Sequence, residues 1–149
     1  MKVVFVCSGN TCRSPMAEAL LRAALIRRGV DGVEVLSAGV GAWEGKPASG
    51  GAMAAMRAMG LDLSGHRSRP LTPELADGAL LLCMTRGHVD AARGLAPGGR
   101  AMLLSEYAGA SGEVPDPYGQ SDAVYRRTAE LLGRHTDAIA ASLAGEGAR

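Results

Sequence analysis

Cys7 and Arg13 stand with five residues between them in the run Cys7-Ser8-Gly9-Asn10-Thr11-Cys12-Arg13-Ser14. A thiol and a guanidinium at that spacing, in a loop that leads from a strand into a helix, suit attack on a bound oxyanion. Backbone N–H groups at a helix start converge on one spot, and the positive end of the helix dipole adds to them. The planar fork of Arg13 can hold two oxygens of that anion at once. Cys7, closing the strand, faces the same field and is expected to have a depressed pKa, and so to act as a thiolate nucleophile. Gly9 is expected to allow a turn that a side chain would block. Bland readings exist for each part, since a strand-end cysteine is commonly an inert small hydrophobe and such a loop can bind a nucleotide phosphate without reacting. Cys, Arg and Ser together in a strand-to-helix loop favour the reactive reading.

That loop needs a strand before it and a helix after it, and the sequence supplies both. Val3 to Val6 is a continuous β-branched and aromatic run, as in a strand buried on both faces. Ser14 and Pro15 predict an N-cap and a first helical residue, Met16, Leu20, Ala23 and Ala24 an apolar face, and Gly29 the stop. Glu18 and Arg22 can pair across one turn of that helix. Further strands are expected over Val33 to Leu36, Ala79 to Met84 and Ala101 to Leu104. A second helix is expected over residues 48–59 with Met53, Met56 and Met59 inward, and a short one from Thr72-Pro73-Glu74. A long final helix begins near Ser121 and presents Val124, Leu131, Ile139 and Leu143, and the tail from Gly145 to Arg149 is expected to fray. Alternating strand and helix predicts one α/β domain over 1–149, a four-stranded parallel sheet with helices on both faces. Ligands of such sheets bind beyond the carboxyl ends of the strands, which is where the Cys7 loop lies.

Composition narrows the function class. With 149 residues, 47% apolar and 21% charged, the chain fits one globular domain. A net charge of +1 gives no basis for a nucleic-acid partner or an acidic membrane surface. No apolar run is long enough to span a bilayer, and the short run ending at Ser8 is too short for a signal-peptide core, so a cytoplasmic location is expected. Three cysteines, Cys7, Cys12 and Cys83, make no disulfide framework. His66, His88 and His135 are scattered and none has ligand spacing from a cysteine pair, so neither metal nor cofactor is expected, and His66 and His88 read as structural or surface residues. Cys83, within a leucine run, reads as a core thiol.

The stretch FVCSGNTCRSPMAEAL resembles the signature of the low-molecular-weight protein phosphatase family, which includes protein-tyrosine and bacterial protein-arginine phosphatases. The resemblance continues through Ser37-Ala38-Gly39, Gly65-His66-Arg67-Ser68 and Asp116-Pro117-Tyr118-Gly119. It implies a metal-independent phosphatase acting on phosphorylated protein, here assumed monomeric. Cys7 would attack phosphorus, and the loop from Ser8 to Ser14 with Arg13 would bind the phosphoryl oxygens. Ser14 would hydrogen-bond the Cys7 thiolate, Asn10 would shape the loop through a network reaching Ser37, and Asp116 would be the general acid. By spacing alone an Asp-Pro pair is an ordinary turn; only the resemblance raises it.

Two points stay open. Cys12 is either a small residue packed on the loop or a redox partner that forms a disulfide with oxidised Cys7. Trp43 and Tyr118 fall where the family places its cleft walls, which suits a phosphotyrosine ring or, by stacking, a phosphoarginine guanidinium. Thr11 tilts the choice, because the resemblance places an aliphatic residue there in tyrosine-specific members and Thr in arginine phosphatases. A thioredoxin-coupled arsenate reductase shares the loop but needs two further cysteines, and only Cys83 follows. A phosphocysteine carrier without turnover is the remaining alternative.

Overall fold

The computed structural model describes residues 1–147, with side chains to Gly145. Four parallel strands form one sheet in the order β2-β1-β3-β4: β1 Lys2–Cys7, β2 Glu34–Gly39, β3 Leu80–Cys83 and β4 Arg100–Leu103. The chain leaves β1 for a neighbour on one side and then crosses to the other, so the order reverses beside β1. The loop after β1 therefore opens at the carboxyl edge where ligands bind in such sheets.

Strand parity decides which way the chemistry faces. Val3, Phe5 and Cys7 point with Leu80 and Leu82 into the core under α1 (Arg13–Arg27), α2 (Gly50–Ala58) and α6 (Asp122–Gly147). Val4 and Val6 point with Leu81 and Cys83 to the other face, under α3 (Pro73–Ala76) and α4 (Arg86–Leu95). Helices thus cover both faces, as expected. A further single turn, α5, spans Leu104–Tyr107.

α1 ends where expected, with Gly29 left-handed at φ 66° after the Arg28 cap, and Glu18 and Arg22 pair at 2.6 Å. Its start is corrected. The helix begins at Arg13 behind Cys12, with no side-chain cap, because the Ser14 hydroxyl is drawn into the loop instead. α2 carries Met56 fully buried and Met53 partly buried, but Met59 is 44% exposed. The helix stops at Ala58 and the chain turns at Gly60, φ 79°, which carries Met59 out to the rim.

α6 also turns a different face inward from the one expected. Ile139 and Leu143 are buried, yet Val124 and Leu131 are only half-buried, and Tyr125, Ala129 and Leu132 take the core positions. Polar Thr128 and Thr136 share that face because each hydroxyl donates to the carbonyl one turn back, Val124 and Leu132 respectively. α6 runs on through Gly147, into the tail from Gly145 to Arg149 that is expected to fray; residues 148 and 149 lie outside the described residues. α4 has no sequence counterpart among the expected elements. Only His88, Val89 and Ala92 of its ten residues are buried, too sparse an apolar pattern to read as a helix. Among the described residues no helix is long and apolar enough to cross a membrane.

Candidate active site

The loop between Cys7 and Arg13 is clamped from several elements. Val40 and Gly41, just beyond β2, donate to the carbonyls of Cys7 and Ser8 at 2.9 Å each, and Ser49 donates to Thr11 at 2.9 Å. Asn10 makes the turn, in the left-handed conformation at φ 56° and fully buried. Its amide donates to Ser14 Oγ at 2.8 Å and Ser37 Oγ at 3.0 Å, and its Oδ1 accepts from the Arg69 N–H at 3.0 Å. Its carbonyl lies 2.7 Å from His66 Nε2, and Ser37 donates onward to Glu18 at 2.6 Å. The expected network from Asn10 to Ser37 is present. Asparagine tolerates the left-handed region better than other residues with a side chain, and here four contacts hold it there.

Gly9 is corrected. It does not have a positive φ, and a Cβ on it would meet only Thr11 Oγ1, at an ordinary 3.7 Å. The glycine that the loop does require is Gly39, at the end of β2. A Cβ there would collide with the Ser8 carbonyl, lie 2.8 Å from Ala42 Cβ and 3.0 Å from the Asn10 nitrogen.

Cys7 Sγ sits 2.8 Å from Ser14 Oγ and is 2% exposed. Burial pushes its pKa up, and this outweighs the lowering by the Ser14 hydroxyl and N–H, the Arg13 charge and the Asn10 N–H. The sequence-based expectation of a depressed thiol is therefore not met. Every lowering influence it invoked is in place, but desolvation of a wholly buried sulfur is larger.

Arg13 is 4% exposed. Its Nη1 donates to the Val114 carbonyl at 3.0 Å and its Nη2 lies 3.7 Å from Asp116 Oδ2. Its Nε is buried with no hydrogen-bond partner among the described residues. Asp116 Oδ1 accepts from the Tyr118 N–H at 3.0 Å, and half of the Asp116 side chain faces solvent. A cleft of about 310 Å³ brings together Cys7, Ser8, Gly9, Thr11, Cys12, Arg13, Trp43, Asp116 and Tyr118, with Lys46 added. Trp43 and Tyr118 are 77% and 71% exposed, so both stand as open walls. Asn10 and Ser14 lie behind the loop, fully buried, and support it from the core side. Such a site can hold a tetrahedral anion against a sulfur nucleophile, with a carboxylate at the rim.

Cys12 is packed and hydrogen-bonded. Its Sγ lies 3.2 Å from Ser49 Oγ and 3.4 Å from the Tyr125 hydroxyl. Burial and the Cys12 contact push the Tyr125 phenol up to about 12. Gly51 makes room for that ring, since a Cβ there would overlap it. Cys83 is fully buried in β3, its thiol pushed up to about 12 by burial.

Sequence reasoning missed Lys46, Tyr125, the Val114 carbonyl and His88. His88 is 6% exposed and its Nε2 lies 2.8 Å from Ser8 Oγ. The one available signal was Thr85 directly after an apolar strand, a cap that places residue 88 in the first turn of a helix. Among the described residues no three His, Cys, Asp or Glu side chains gather as metal ligands would.

The chain is similar to known proteins over nearly its whole length. The family model for "Low molecular weight phosphotyrosine protein phosphatase" matches residues 2–149. A protein-arginine-phosphatase of Geobacillus stearothermophilus is 39% identical over 97% of both chains, and one of Bacillus subtilis is 41% identical over 89% of both. The low molecular weight protein-tyrosine-phosphatase Etp of Escherichia coli is 36% identical over 89% of this chain and 87% of its own. The solved structure of the YwlE arginine phosphatase from Geobacillus stearothermophilus superposes with a TM-score of 0.90, at 38% identity, covering 99% of this chain and 95% of that one.

Proposed function

The chain belongs to the low molecular weight phosphotyrosine protein phosphatase family, and from that premise we propose that it hydrolyses phosphoproteins through a phosphocysteine on Cys7, with phosphoarginine as the favoured substrate. The observation that carries the chemistry is the Arg13 guanidinium, buried beside Cys7 with its Nε unpartnered. A buried donor left unmade costs about 1–3 kcal/mol or more, and a phosphoryl oxygen is the acceptor that would satisfy it.

In the proposed reaction the phosphate enters the cleft with its oxygens on Arg13 and the N–H groups of the loop from Ser8 to Ser14. The Cys7 thiolate attacks phosphorus in line, forming the S–P bond as the bond to the leaving group breaks. Ser14, the Asn10 and Ser14 N–H groups and Arg13 favour the thiolate against the burial that opposes it. Asp116 protonates the departing nitrogen or oxygen, then takes a proton from the water that cleaves the S–P bond. Ser14 receives the returning thiolate.

Rapid acid quench during turnover of para-nitrophenyl phosphate should trap phosphate on Cys7 and show release of inorganic phosphate. No phosphate release would sink the hydrolase reading in favour of a carrier. The reductase alternative has little support from the geometry, because Cys83 is buried on the face of the sheet opposite Cys7 and cannot take up its disulfide.

Asp116→Asn should slow formation of the phosphocysteine most for basic leaving groups and least for activated aryl phosphates, since protonation matters only when the leaving group is basic. Equal losses across leaving groups of widely different pKa would remove Asp116 from the acid role. In the same reading Cys12 protects the nucleophile: peroxide converts Cys7 to a sulfenic acid, and the Cys12 thiol displaces water from it to give a disulfide. The three unpaired cysteines suit a reducing, cytoplasmic setting.

Phosphoarginine is favoured on Thr11, which lines the cleft, and on the two protein-arginine-phosphatase relatives near 40% identity. A hydroxyl there offers a hydrogen bond beside a polar P–N leaving group. Thr11→Ile should shift the ratio of kcat/KM for phosphoarginine over phosphotyrosine peptides toward tyrosine, by about 1–3 kcal/mol, the effect of one unsatisfied polar contact. An unmoved ratio would leave Thr11 a packing residue. Phosphotyrosine would then be the better substrate, a reading that the exposed aromatic walls Trp43 and Tyr118 suit as well as they suit a guanidinium.

A further inference from the structure

His88 lies far from the signature loop in sequence, yet it reaches the loop beside the nucleophile. α4 positions it: Thr85 Oγ1 accepts the His88 N–H at 3.2 Å, fixing the first turn of that helix against the carboxyl end of β3. From there the ring extends Nε2 to within 2.8 Å of Ser8 Oγ. The opposite nitrogen, Nδ1, is buried with no hydrogen-bond partner among the described residues. Burial and, after it, the Arg13 charge lower the pKa of His88, Asp116 and Glu113 oppose them, and the balance lies at about 4. The ring is therefore neutral near pH 7 and carries a single N–H.

Which nitrogen holds that proton decides what Ser8 can do. With the proton on Nδ1, a buried donor is left unmade and the Ser8 hydroxyl must turn its own hydrogen toward Nε2. With the proton on Nε2, the ring donates to Ser8 Oγ and only a lone pair is orphaned. Orphaned buried N–H groups are rarer in folded proteins than under-used acceptors, so the second tautomer is favoured. Ser8 itself is exposed and lines the cleft next to Cys7. Its hydroxyl hydrogen, released from the ring, then has the cleft as its direction.

We propose that His88 is a positioning residue: its Nε2–H holds Ser8 Oγ so that the Ser8 hydroxyl donates a hydrogen bond to the phosphoryl group, a donor additional to Arg13 and the loop N–H groups. The proposal rests on the phosphatase reading, because it needs a phosphoryl oxygen in the cleft.

Two measurements test it. Nitrogen-15 NMR of the His88 ring at neutral pH, with and without inorganic phosphate, should show the Nε2–H tautomer; the Nδ1–H tautomer would overturn the proposal, and this experiment needs no variant. Calorimetric affinity for inorganic phosphate should fall about tenfold in Ser8→Ala and in His88→Leu, the worth of one hydrogen bond to a charged group. The double variant should bind no more weakly than either single one, and His88→Gln, whose amide can still donate, should recover most of the affinity. If His88→Leu costs as much affinity on top of Ser8→Ala as it does alone, or if Ser8→Ala costs none, the proposal is overturned. Should His88→Leu not fold, Ser8→Ala, His88→Gln and the NMR signal still decide. Phosphate binding is independent of turnover, so an inactive parent protein would defeat the phosphatase reading while leaving the His88 test readable.

Discussion

Cys7→Ser is expected to lower kcat by on the order of 10⁴-fold or more, while phosphate or vanadate still binds. A serine hydroxyl in the same place is a far weaker acid than a thiol. The groups that favour a thiolate here, Ser14, Arg13 and the Asn10 N–H, already work against burial for sulfur. They would be still less able to ionise an oxygen. Phosphate affinity should persist because the anion is held by Arg13 and the loop N–H groups, none of which depends on the sulfur. Single-turnover kinetics with a phosphate titration separate the two effects. Appreciable turnover in this variant would take the nucleophile's role away from Cys7.

Arg13→Lys is expected to cost about 10²–10³-fold in kcat/KM, the range seen when a donor aimed at transition-state charge is removed. The loss follows from shape and not from net charge, which the substitution keeps. Guanidinium presents a rigid fork, and in this protein one arm is already committed to the Val114 carbonyl at 3.0 Å. The opposite nitrogen approaches Asp116 at 3.7 Å, and Nε remains for the anion. An ammonium has one nitrogen to serve all three directions, and a shorter reach. The Val114 carbonyl, 1% exposed at its residue, would lose its side-chain donor as well. Because that contact holds the segment carrying Asp116, the variant should lose more on basic leaving groups than on activated ones. Near-normal rates on both would mean that the loop does not clamp phosphate as proposed.

How much of this could be read from the chain alone depends on how local each feature is. Strand, loop and helix start are contiguous between Val3 and Pro15, so the thiol, the guanidinium and their shared direction follow from short-range rules. The same holds for the parallel sheet, which strand and helix alternation implies and the order β2-β1-β3-β4 realises. Asp116, Trp43 and Tyr118 were reached only through family resemblance, because nothing in an Asp-Pro turn or an isolated aromatic points to a cleft. α4 escaped because its segment is rich in small and charged residues and buries only one side.

Tertiary structure alone decided the electrostatics of the site and the part of its second layer that lies outside the Asn10–Ser14–Ser37 network. It left α1 without a side-chain cap, gave the left-handed turn to Asn10 instead of Gly9, and made Gly39 the glycine that the loop cannot lose. It also reversed the direction expected for the Cys7 pKa. The contacts responsible join residues far apart in the chain: His88 to Ser8 across 80 positions, Arg13 to Val114 across 101, and Cys12 to Tyr125 across 113. Sequence spacing fixes which groups a short loop presents. Burial and hydrogen-bond partners are sums over every element packed against that loop, and those sums exist only once the sheet has brought β2, α4 and α6 around it.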